Sequence, residues 1–202
     1  MRNVAIAFVL GALPLLGGAP GTASSPRGDV STIPLVDQND AAFTLRDLRG
    51  HPLVLTFVAT RCTDACPIAN AVFAQLQRDL QERRLDARLA TVTLDPRYDT
   101  PFVLARTARE LGADAALWRF GGGNVRDVER VLADFGVVTA LNERGVPDVH
   151  STYVYVLDRA GNLSRTLLLS TAIRRELLDL LAADGAQPSA ASASRLRSSS
   201  RR

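Results

Sequence analysis

Lysine is absent from this 202-residue chain; all 24 basic side chains are arginine, a bias we read as genome composition rather than function. Acidic residues are absent from both ends, 1–23 and 185–202, which together hold Arg2, Arg195, Arg197, Arg201 and Arg202. The formal charge of +3 therefore belongs to the termini. The stretch between them sets nineteen arginines against 21 carboxylates, and a domain so balanced carries no nucleic-acid footprint. A membrane-length apolar run is lacking at the N-terminus as well. Residues 4–16 are apolar but too short to cross a bilayer comfortably, and Pro14 with the glycines behind it weakens a long helix. Arg2 stands in front of this run, and Gly21 and Ala23 fit the −3 and −1 positions of a cut after Ala23. Residues 1–23 are thus expected to be an export signal, with an uncleaved membrane tether as the alternative. No cysteine lies in that stretch, which argues against a lipid-modified N-terminal cysteine. The remainder is expected in the periplasm or at the periplasmic face of the inner membrane, where disulfides persist.

Residues 24–32 are rich in Ser, Pro and Gly and read as a linker. Residues 185–202 are rich in Ser, Ala and Arg and read as a disordered basic tail. One domain is expected between them, over 33–184, long enough to bury a sizeable core. Short strands are expected at 33–36 and 43–45. Residues 53–59 form a continuous apolar run, as a buried central strand should. Over 66–85, Ile68, Val72, Phe73, Leu76 and Leu80 recur at helical spacing. A second buried strand is expected at 89–94. A helix over 101–111 has Asp99 or Thr100 as its cap and Pro101 in its first turn. A strand at 116–120 and a helix at 125–135 follow. Residues 152–158 and 163–169 alternate around Gly161 and read as a hairpin, and a helix over 172–183 closes the domain. Helices alternating with buried strands predict an α/β fold with a partly parallel sheet. The order suits a thioredoxin-like fold: a central mixed β-sheet flanked by helices, with a C-terminal β-hairpin and helix.

Cysteine is scarce, and its placement is the strongest chemical signal. Cys62 and Cys66 stand in the run Cys62-Thr-Asp-Ala-Cys66-Pro67, after a buried strand and at the opening of a helix. Free N–H groups at a helix N-terminus stabilise a nearby anion, so a lowered thiol pKa is expected there. Such thiolates bind soft metals and attack disulfides, which makes the pair a candidate redox-active dithiol. A structural disulfide is the plainer alternative, but one closing so short a loop removes little chain entropy. Histidine is equally scarce. His150 precedes the strand at 152–158, after a loop around Gly145 and Pro147. In a thioredoxin-like sheet that loop faces the cysteine loop, so Cys62, Cys66 and His150 form a candidate three-ligand metal site. Cu(I) accepts such a soft set, Cu(II) would add a donor, and zinc is not excluded by the ligands alone. His51, in the turn from Gly50 to Pro52, is expected to be an exposed loop residue.

Three separated segments resemble the Sco/SenC family of copper-binding, thioredoxin-fold assembly proteins. LRDLRG (45–50) followed by LVLTFVATRCTDACP resembles the family's strand, Cys-x-x-x-Cys-Pro and helix. LDPRYDTP (94–101) resembles its Asp-Pro-x-x-Asp-Thr-Pro segment, and HSTYVYVLDRAGNL from His150 its His-Ser, strand and Asp-x-x-Gly hairpin. The resemblance covers about 33–183. It implies that Cys62, Cys66 and His150 take the places of the copper ligands. Asp95 and Asp99 match the acidic positions of the second segment, where turn formation and helix capping are the expected roles.

The resemblance also implies a metallochaperone that delivers copper for assembly of the cytochrome c oxidase copper centre. Its partner would be the copper-bearing oxidase subunit or another copper chaperone. The alternative is a thiol–disulfide oxidoreductase, with Cys62 attacking and Cys66 resolving. A thiol peroxidase would need Thr and Cys on one helical turn beside an activating Arg, an arrangement Thr60, Arg61 and Cys62 do not offer.

Overall fold

The computed structural model describes residues 29–150 and 152–185. The expected export signal, residues 24–28 of the expected linker and residues 186–202 of the expected tail lie outside them; Gly185, expected to open the tail, ends the last helix. The chain enters through a 3-10 turn, Val30–Thr32, and then forms β1 (Leu35–Asp37), β2 (Ala42–Phe43) and a second 3-10 turn, Leu45–Leu48. It continues through β3 (Leu53–Val58), α1 (Ala65–Arg83), β4 (Arg88–Thr93), α2 (Pro101–Glu110), β5 (Trp118–Gly122) and α3 (Val125–Asp134). It closes with β6 (Thr139–Leu141), β7 (Pro147–His150), β8 (Tyr153–Leu157), β9 (Leu163–Leu168) and α4 (Ile173–Gly185).

Seven strands form one mixed sheet in the order β2-β1-β5-β4-β3-β8-β9. β3, β4 and β5 run parallel, while β1 and β8 pair antiparallel on either side of them. The expected class, central strands and terminal hairpin are all present. β3 is buried at every position, which is why its sequence shows no polar alternation. The two faces are nonetheless distinct. Val54, Val154, Val156, Trp118 and Phe120 pack with α1, α2 and α4, whereas Leu55, Phe57, Val92 and Tyr155 pack with α3 and the 3-10 turns. Both cysteines belong to this second layer.

Thr100 caps α2 by accepting from the Val103 N–H, with Pro101 in the first turn; Asp99 has another task, described below. Gly122 lets β5 pass close to that region. A Cβ there would lie 2.9 Å from Leu104 Cδ1 and 3.3 Å from the Asp99 carbonyl oxygen.

Several expectations are corrected. The first strand is Leu35–Asp37 rather than 33–36, because the buried Asp37 carboxylate takes the N–H groups of Asn39 and Ala41 and closes the β1–β2 turn. The second is Ala42–Phe43, since Leu45 already belongs to a 3-10 turn capped reciprocally by Thr44 and Asp47. The loop before His150 is largely a hairpin, β6–β7, forming its own two-stranded sheet. His51 is not a bare loop residue. Its ring pairs with Asp86, whose other oxygen accepts from Arg159 at 2.6 Å, and Arg159 also holds Asp184 at 3.0 Å.

Candidate dithiol and metal site

β3 carries the chain to the C-terminal end of the parallel strands, the end where ligands bind in open α/β sheets. Beyond it the Cys62 N–H donates to the Ala59 carbonyl at 3.1 Å, closing a turn, and α1 begins at Ala65. Cys62 is 5% exposed and Cys66 2%. Both are thiols rather than a disulfide. The two side chains share a hydrogen bond, and the Ala59 N–H donates to Cys66 Sγ at 3.4 Å.

The expected lowering of thiol pKa does not hold for Cys66. Burial pushes its thiol up, the hydrogen bond to Cys62 adds to this, and the Ala59 N–H opposes both. Cys66 sits within the first turn of α1, where a favourable dipole is expected. Removing the sulfur from water costs the thiolate more than that dipole and one N–H return. The resting dithiol therefore keeps a proton on Cys66, and a cation would be needed to hold it as thiolate.

Two carboxylates brace the loop. Asp99 is 1% exposed and accepts from the Thr60 N–H at 3.2 Å, from the Thr60 hydroxyl and from the Thr93 hydroxyl at 2.6 Å. It joins the exits of β3 and β4 immediately before α2. Burial raises its pKa against the pull of these donors. Asp95 accepts from Arg61 Nη2 at 2.5 Å and Nε at 3.2 Å, while its own N–H donates to Thr93 Oγ1 at 2.8 Å. The Arg61 guanidinium also lies over the Tyr98 ring, 4.2 Å from its centroid. Both acidic residues thus act in loop architecture. Arg61 is the residue that sequence reasoning missed. Its only signal was its place directly before Cys62, with an acidic loop to receive it.

The structure brings the two sulfurs together. It brings His150 to the same end of the molecule by its backbone. β8 pairs with β3 through Thr56↔Val154, so the chain preceding Tyr153 runs toward the end of β3 from which the dithiol loop departs. His150 is the last residue of β7 and faces Thr139 of β6 in register. Among the described residues, no group of three or more His, Cys, Asp and Glu side chains forms a ready metal cage.

A mixed sheet whose central strand ends in a two-cysteine turn and a helix defines a thioredoxin-like dithiol protein. The chain belongs to the SCO1/SenC family, whose model matches residues 29–182. An SCO2-like protein of Rickettsia felis is 26% identical over 154 residues, covering 73% of this chain and 72% of the relative. A SCO1/SenC family lipoprotein from Bacillus anthracis superposes with a TM-score of 0.68 at 25% identity, over 74% of this chain and 90% of that one. Copper-bound ScoI from Bradyrhizobium japonicum has the same fold, with a TM-score of 0.63 at 22% identity, over 73% of this chain and 94% of that one.

Proposed function

We propose that this protein is an extracytoplasmic copper metallochaperone that holds copper between Cys62, Cys66 and His150. The observation that carries this reading is the buried, mutually hydrogen-bonded dithiol at the strand end, toward which the His150 strand leads. Two soft sulfurs and an imidazole suit a three-coordinate Cu(I) cargo. The copper-bound ScoI supports the cargo, and the lipoprotein relative supports a site of action outside the cytoplasm. No described helix is long and apolar enough to cross a membrane. Delivery to the copper centre of cytochrome c oxidase, through its copper-bearing subunit or another copper chaperone, is the destination we assign. Anaerobic competition with a Cu(I) chelator tests the site. The reduced protein should bind one copper tightly, and His150→Ala should weaken it; binding indifferent to His150 would sink the three-ligand reading.

Handover by ligand exchange would bring a recipient against the end of the molecule that carries the sulfurs. Ile68, Tyr98 and Phe102 are exposed on the loops and first helical turns of this end, Phe102 at 72%. Phe102→Ser is expected to slow copper handover to the oxidase subunit about tenfold, the scale of a lost interface aromatic. Its copper affinity should equal that of wild type. Transfer at the wild-type rate would show that docking uses another face.

The paired sulfurs also fit a thiol–disulfide oxidoreductase. Cys62 thiolate would attack a target disulfide and release one target thiolate. Cys66 would then displace the second by bonding to Cys62, leaving the protein oxidised by two electrons. The raised Cys66 thiol weighs on both roles, since each needs its thiolate; membership of the SCO1/SenC family is what ranks the metal role first. Wild-type disulfide reduction by His150→Ala, together with weak copper binding by the unmodified protein, would reverse the ranking.

A further inference from the structure

The β6–β7 hairpin stands outside the main sheet, with strands of three and four residues. A lone two-stranded ribbon is marginal in water. Thr139, Ala140 and Leu141 are all exposed, and the register shifts between Ala140 and Leu141. The ribbon's own pairing therefore defines its attitude weakly, and anchors near its ends must do so. On the apolar side these are the buried Val137 and Val146. At the turn, Asn142 Oδ1 accepts from the Arg144 and Val146 N–H groups, and the Gly145 N–H donates to the Asn142 carbonyl at 2.9 Å. The turn is thus a defined unit, and its Gly145 carbonyl accepts from Arg61 Nη2 at 3.4 Å.

The other contacts of Arg61 give this link its stiffness. The guanidinium is held by Asp95 and stacked on Tyr98, and Asp95 is fixed in turn by Thr93. One residue earlier, Thr60 is held by Asp99. Arg61 is thereby immobilised between the dithiol loop and the acidic loop, with one nitrogen on the hairpin. A lysine would offer a point charge without the planar fork or the stacking face.

We propose that Arg61 is a positioning residue that fastens the β6–β7 hairpin, and with it His150, to the dithiol loop, an assignment that rests on the copper site proposed above. Its action on copper runs through His150, so its effect should depend on His150 being present. The test is a double-mutant cycle of Cu(I) affinity on the reduced full-length protein, with wild type, Arg61→Ala, His150→Ala and the double variant. Arg61→Ala should weaken binding about tenfold, the lower range for a lost outer-shell partner. The double variant should bind no more weakly than His150→Ala alone. Asp95→Asn, which loosens the guanidinium without touching the neighbour of Cys62, should reproduce the pattern. In the copper-free protein, amide exchange over 139–147 should quicken in Arg61→Ala while β3 and β4 are unchanged. Equal loss in both histidine backgrounds, or unaltered affinity, would overturn the proposal, as would unaltered exchange. If wild type binds Cu(I) no better than Cys62→Ser, the copper reading itself has failed; the exchange arm still decides whether Arg61 holds the hairpin.

Discussion

Cys66→Ser is expected to lower Cu(I) affinity by more than about a hundredfold, beyond the range of a lost outer-shell group, while the protein stays folded. The ligand set has two soft donors, and a serine hydroxyl is a hard one that Cu(I) binds poorly. The fold should tolerate the change because serine is slightly smaller and its oxygen can still accept from the Ala59 N–H. Cys62→Ser should act on copper in the same direction. The pH dependence separates a true thiolate site from adventitious binding. The Cys66 thiol is pushed up by burial, so the metal-free protein keeps that proton through neutral pH and must release it when copper binds. Wild-type affinity should therefore rise with pH, and Cys66→Ser should lose part of that slope. Chelator competition at several pH values checks both points. Retention of tight binding by either serine variant would remove the dithiol from the site.

The central strands were legible in sequence because β3 and β4 are buried on both faces and, after Arg88, carry only apolar residues and threonine. α1 was legible because Val72, Phe73, Leu76 and Leu80 follow its buried stripe. The β6–β7 ribbon was not, because a strand with every side chain exposed shows neither alternation nor an apolar run, and Gly145 and Pro147 speak for a loop. The ion-pair network around His51 draws on Asp86, Arg159 and Asp184. Such distant partners leave no local pattern.

The cysteine pair was a candidate in the sequence through its context: a strand, two cysteines four apart, then Pro67 and a helix. Its electrostatics were not. Helix position predicts a stabilised thiolate, whereas depth of burial decides the opposite for Cys66, and depth is a property of the packed layer. The same holds for Asp99. As a sequence neighbour of Thr100 it reads as a helix cap, but its partners are the side chains leaving β3 and β4.

Asp99 gives the second large expected effect, and its two substitutions should diverge. Asp99→Ala removes the acceptor for the Thr60 N–H and the Thr93 hydroxyl. Unsatisfied donors in such surroundings cost about 1–3 kcal/mol each, so a loss of roughly 2–6 kcal/mol is expected in urea unfolding. Asp99→Asn should behave otherwise. Its Oδ1 can accept from the Thr60 N–H and the Thr93 hydroxyl, while its NH2 donates to the Thr60 hydroxyl, which turns to accept. No charge is then buried. Because burial raises the Asp99 pKa, its proton stabilises the fold fully below the unfolded value of about 3.9 and that contribution fades as pH rises through the folded value. The asparagine variant has no such dependence. It should match wild type near pH 4 and equal or exceed it at pH 7, with the gap opening as pH rises. An Asp99→Asn protein as weak as Asp99→Ala at pH 7 would mean that the loop needs the ionised carboxylate, and that the three donors outweigh burial.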